Sequence, residues 1–159
     1  MKTFIFIIAI FPIFAIAQTT DQPIKKSNQI IIETTDQPDI AFQQIVSLLI
    51  SEGYILKQSD KELGIITTEP RKLGKVFFYI VQFNVLVDRS EGVTKIIFSG
   101  NYADATQIHW NDGTTLDLSS LKNEINFSGM EKSFIKRSWK IMEGFAVKYP
   151  DGVIFYRKA

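Results

Sequence analysis

Lys75-Val76-Phe77-Phe78-Tyr79-Ile80-Val81-Gln82-Phe83-Asn84-Val85-Leu86-Val87-Asp88 is the stretch on which the fold turns. Its fourteen residues are rich in β-branched and aromatic side chains and contain neither Gly nor Pro, which reads as one long strand. Side chains alternate across a strand, so Phe77, Tyr79, Val81, Phe83, Val85 and Val87 share one unbroken apolar face. Val76, Phe78, Ile80, Gln82, Asn84 and Leu86 share the other, which is apolar at its start and polar in its middle. The first face predicts a sheet surface covered by helices. The second predicts an apolar patch at Val76, Phe78, Ile80 and Ile97 that needs a cover of its own.

Outward from this strand, short connections order the rest. Arg89 to Gly92 is a turn signal, and Val93 to Tyr102 returns as a strand. Upstream, Tyr54 to Ser59 and Ile65 to Glu69 read as strands joined by the Asp60–Gly64 turn, with a further turn over Pro70 to Gly74. Short turns favour antiparallel neighbours, so these four strands predict a meander. Gln29 to Thr34 reads as an earlier strand and Val153 to Tyr156 as a last one.

Two helices are predicted. Pro38 suits a first turn, Ala41, Ile45, Leu48, Leu49 and Glu52 form one stripe, and Gly53 suits a left-handed end. The second runs from Gly129 to Lys148, opened by a capping box at Ser128 and Glu131. It carries Phe134, Ile135, Trp139, Met142, Phe145 and Ala146 inward. The fold class is therefore α+β: an antiparallel sheet with two helices packed mainly on one face, over a single domain spanning 29–159.

The first residues read as an address. Lys2 is a positive start, Phe4 to Ile16 is nearly all apolar, and Ala15-Ile16-Ala17 offers small residues before Gln18. That pattern predicts a secretory signal peptide over 1–17, cleaved between Ala17 and Gln18. The apolar run falls short of the roughly 20 residues a membrane span needs. Residues 18–28 are polar and aperiodic and read as a disordered leader. The mature chain is expected in a periplasm or outside the cell, without an integral membrane segment.

The composition narrows function by exclusion. With 18 basic and 17 acidic residues, the chain has no basic excess to bind nucleic acid. It has no cysteine, so disulfides, thiolate metal sites, a cysteine nucleophile and a lipidated cysteine are out of reach. The single histidine, His109, sits in a weakly patterned segment, Ala103 to Phe127, where Asn111-Asp112-Gly113 marks a turn. No G-x-S-x-G, P-loop or G-x-G-x-x-G motif is present. Asp104, Asp112 and Asp117 lack the spacing of a calcium loop. No cofactor, metal or catalytic set is expected.

Glu52-Gly53-Tyr54 followed by Ser59-Asp60-Lys61-Glu62-Leu63-Gly64-Ile65-Ile66-Thr67-Thr68 and two long strands resembles small secreted proteins of Bacteroidota. Their domain has a fold likened to the TATA-binding-protein repeat and to BamC. The resemblance covers roughly residues 29–102 and implies a TBP-like, BamC-like arrangement, with no catalytic residues to carry over.

The expected function is that of an exported, non-enzymatic binding module of the cell envelope or secretome. Its partner is a protein or a second copy of the chain, meeting the patch at Val76, Phe78, Ile80 and Ile97. The competing expectation for that patch is that the chain's own 103–127 segment or its last strand folds over it. One alternative function is a carrier of a small apolar ligand between sheet and helix, which a cavity lined by Phe134, Trp139 and Phe83 would favour. The other is a hydrolase working through loop carboxylates with His109.

Overall fold

The computed structural model describes residues 19–74, 79–89, 92–104, 110–111, 115–116, 121–131 and 133–159. In chain order the elements are β1 (Thr19–Thr20), β2 (Gln29–Thr34), α1 (Pro38–Ser51), β3 (Leu56–Asp60), β4 (Ile65–Thr68), β5 (Arg71–Leu73), β6 (Tyr79–Asp88) and β7 (Thr94–Asp104). They continue with β8 (Trp110–Asn111), β9 (Thr115–Leu116), β10 (Asn123–Glu124), α2 (Phe134–Lys148) and β11 (Val153–Arg157). The architecture is α+β, as the alternation in the long strand requires: a nine-stranded antiparallel sheet with two helices.

The sheet runs β1-β11-β2-β7-β6-β4-β3, with β10 paired to β7 and β5 paired to β6. The predicted meander is its β3-β4-β6-β7 half. β8 and β9 pair with each other on either side of the turn signal, of which Asp112 and Gly113 lie outside the described residues. One face of the sheet carries both helices. Tyr79, Val81, Phe83, Val85 and Val87 from β6 join Ile30, Ile32, Ile96 and Phe98 in a core closed by Ala41, Phe42, Ile45 and Leu49 of α1. From α2 come Trp139, Met142, Phe145 and Ala146. Rings meet edge to face at its centre, Tyr54 on Phe83 at 5.3 Å and Phe83 on Phe145 at 5.4 Å.

Four local expectations need correction. The first concerns Pro70–Gly74, where Arg71–Leu73 is a strand rather than part of a turn. It pairs with Tyr79–Val81, farther along the same edge of β6 that β4 occupies. Proline has no N–H to give a ladder, so the chain breaks at Pro70 and resumes. Thr68 bridges the break: its hydroxyl accepts from the Phe83 N–H at 3.0 Å and its carbonyl from the Gln82 side chain at 3.0 Å.

The second concerns the start of α2, which lies at Phe134 and not at Gly129. Ser133 is the N-cap and accepts from the Lys136 N–H at 3.3 Å. Ser128 instead bonds Asn126, and Gly129 sits at φ +82°, where a right-handed helix cannot begin. The spacing Ser128–Glu131 fits a capping box, but the left-handed glycine inside it directs the chain away.

The third concerns residues 18–28, expected to be a disordered leader. Thr19 and Thr20 pair with Arg157 and Tyr156. Lys26 N–H donates to the Phe127 carbonyl at 2.9 Å, Phe127 N–H to the Ser27 carbonyl at 2.7 Å, and Asn28 N–H to the Arg157 carbonyl at 3.0 Å. Ser27 and Asn28 are buried. These ties run through backbone groups, which leave no periodic trace in the side-chain sequence. The fourth is minor: α1 ends at Ser51, with Glu52 as its cap and Gly53 at φ +79° as foreseen.

Candidate functional site

Of the four residues expected to form one patch, the structure describes Ile80 and Ile97, and these two lie apart. Val76 and Phe78 lie outside the described residues, as do His109, Asp112 and Asp117. Ile80 is 2 % exposed and packs with Ala103 and Leu121, so the segment leading to β10 covers it. Ile97 is half-buried and pairs with Leu86. Ile80 and Leu86 stand six residue steps apart along the strand, about 20 Å. Between them the polar pairs Gln82–Asn101 and Asn84–Ser99 cross the same face. Ile80 and Ile97 thus share the face expected for them but lie at opposite ends of it.

Register also built something the single strand did not reveal. Directly paired residues of an antiparallel sheet point to the same side. Following the pairs outward from Ile97 gives Phe155–Ile31–Ile97–Leu86–Ile65, one apolar residue from each of β11, β2, β7, β6 and β4. This band crosses five strands on the face away from α1 and α2. Ile31, second in the row, is 4 % exposed. Leu86 is 41 % exposed, and Ile65, Ile97 and Phe155 are half-buried. The signals for Ile31 and Phe155 were present in their own strands, as the residues out of phase with the core-facing Ile30, Ile32 and Tyr156.

The band has two polar borders. On one side Glu33, Lys95 and Asp88 pair across the strands, with Lys95 and Glu33 in a 3.5 Å ion pair and the exposed Val153 at the end of the row. On the other, Thr67 pairs with Asn84 and Asn84 with Ser99. There the Arg157 Nε–H donates to the Gln29 side chain at 2.7 Å. A shallow groove of about 380 Å³ runs between this polar border and Ile65, Leu86 and Ile97. The groove sets apolar side chains beside fixed hydrogen-bonding groups.

Among the described residues no group of three His, Asp or Glu side chains is placed to hold a metal ion. Burial pushes the Tyr54 and Tyr156 hydroxyls up to about 12, and burial also raises Tyr79 and Tyr149. The hydrogen bond from Lys140 holds the Glu131 carboxyl below its ordinary value. Each of these shifts moves the group away from neutrality, the range a general acid or base needs.

Of the residues expected to line a space for a carried ligand, all three pack against aromatic neighbours. Phe83 and Trp139 are fully buried, Trp139 lying against Phe127 and Tyr156 at 5.7 and 6.0 Å. Phe134 rests on Tyr79 at 5.1 Å. Among the described residues no helix is long and apolar enough to cross a membrane. No protein-family model and no curated protein matches the chain.

Proposed function

We propose that this protein is an exported, non-enzymatic interaction module of the bacterial envelope or secretome. In this reading it docks a partner protein on the band Phe155–Ile31–Ile97–Leu86–Ile65. One observation carries the proposal: five apolar residues from five strands form a continuous row on the face that neither helix covers. Contiguous apolar surface on a soluble domain marks an interaction site more often than chance. Export rests on the Lys2 start, the apolar Phe4–Ile16 run and the Ala15-Ile16-Ala17 end. The TBP-like, BamC-like arrangement inferred from residues 29–102 is part of the same reading.

Site-specific photocrosslinking in the native host tests it. A crosslinker at Leu86 should give a discrete protein adduct, whereas one at Ile50, 56 % exposed on α1, should give none. Equal labelling from both positions, or none from Leu86, would overturn the assignment. Sedimentation of the purified chain identifies the partner class: a dimer lost in Leu86→Ser makes the partner a second copy. Mass spectrometry of the native product tests export, with Gln18 expected at the N-terminus.

A further inference from the structure

A cleft of about 330 Å³ opens between α2, β5 and the chain that leaves α1. Its inner wall is apolar: Tyr54 and Phe145 are buried, and Leu73 and Ile141 are half-buried beside them. Two cations line it farther out, Arg71 of β5 and Lys148 in the last turn of α2. The two are held differently. Lys148 is neutralised by the Glu52 carboxylate at 2.6 Å. Arg71 donates through Nη1 to the Glu52 backbone carbonyl at 2.5 Å, and its guanidinium carbon lies 4.6 Å from the centre of the Tyr54 ring. Among the described residues no carboxylate forms an ion pair with Arg71. A guanidinium has five N–H donors in a fixed fork suited to a carboxylate. Arg71 is thus fixed in place with donors to spare, above an apolar wall.

Gly144 is the independent observation. It lies inside α2, where glycine weakens a helix relative to alanine. No close packing demands it: a Cβ built there would meet nothing within 4 Å. What the bare Cα does is leave this part of the cleft empty.

The geometry points to a binding site for a small ligand that carries a carboxylate on a short apolar body. The carboxylate sits on Arg71 and the body fills the space beside Gly144, Leu73 and Ile141. The volume is at the small end for ligand sites, which fits a short-chain acid or the free C-terminal residue of a peptide. The site goes beyond the sheet-face reading and lies on the helical side of the sheet, so either can fail without the other.

The test is an NMR titration of the folded protein with hexanoate, with hexanol as the uncharged probe. Hexanoate should give saturable shifts at the Gly144 amide and the Arg71 Nε–H, and hexanol should not saturate. Gly144→Leu, which fills the space, should abolish binding and leave the protein folded. Arg71→Gln should weaken hexanoate by about tenfold or more. Gly-Gly-Leu peptide with a free or an amidated C-terminus distinguishes the sources: tighter binding of the free acid form than of hexanoate names a peptide end, the reverse a free acid. Three results would overturn the proposal: equal behaviour of hexanoate and hexanol, binding that survives Gly144→Leu, or Arg71→Gln lowering Tm with hexanoate affinity unchanged. The last would make Arg71 only a cap on α1. If Arg71→Gln does not fold, the Gly144→Leu and hexanol comparisons still decide.

Discussion

The two faces of β6 are built from neighbouring residues of one strand and behave as different materials. Tyr79, Val81, Phe83, Val85 and Val87 are all 6 % exposed or less, locked under two helices. The other face is covered at one end, where Ile80 meets Leu121, polar through Gln82 and Asn84, and open at Leu86. The first face is continuous because one strand alone can make it so. The second is made row by row, from residues that β11, β2, β7 and β4 bring alongside. A core face can therefore be read along a strand, whereas a surface band must be read across the sheet.

The sharpest way to break this contrast is Phe83→Ala. Its side chain is fully buried among Tyr54, Phe145 and their neighbours, so the loss should be about 3–5 kcal/mol in chemical denaturation. A loss well under about 1 kcal/mol would mean that the face is not the core. Ile80→Ser comes next. If Leu121 covers this end of the second face, removing the buried side chain should cost about 2–4 kcal/mol, as for other buried Ile truncations. A neutral result would make Ile80 part of the open band after all.

Thr68→Val tests how the covered face survives the break at Pro70. It keeps the shape but leaves the buried Phe83 N–H without its acceptor, for an expected loss of about 1–3 kcal/mol. Alkaline pH probes the same core through its phenols. Tyr54 and Tyr156 are raised from 10.0 to about 12, burial being the main cause. The folded state holds these protons more tightly than the unfolded chain. Their contribution to stability is therefore complete below about pH 10 and lost as pH rises through about 12. Denaturation midpoints measured across that window should fall, and less steeply in Tyr54→Phe. The smallest effect on stability belongs to Leu86→Ser, within about 1 kcal/mol because the side chain is already 41 % exposed. Its consequence should appear instead in partner binding, and a large stability loss with no change in association would make Leu86 ordinary core.

The candidate site was less legible than the fold. Ile97 was readable as a residue of the second face, but Phe155, Ile31 and Ile65 were not readable as its companions. Their identities were plain; their register against one another was not. Arg71 was hidden for a related reason, since Pro70–Gly74 has the composition of a turn and only the free edge of β6 makes a strand of it.

By itself the sequence determined the α+β class, the long core face of β6, both helical stripes and the left-handed Gly53 that follows α1. Each follows from periodicity or backbone chemistry within one segment, where the deciding interactions are local. Tertiary structure alone decided that Ile80 is covered and Leu86 is open, that residues 19–28 are tied to the sheet, and that Arg71 and Gly144 share a cleft. These depend on contacts between segments far apart in the chain, and on backbone hydrogen bonds that every residue type can make. No side-chain pattern encodes such pairings until the strands are aligned.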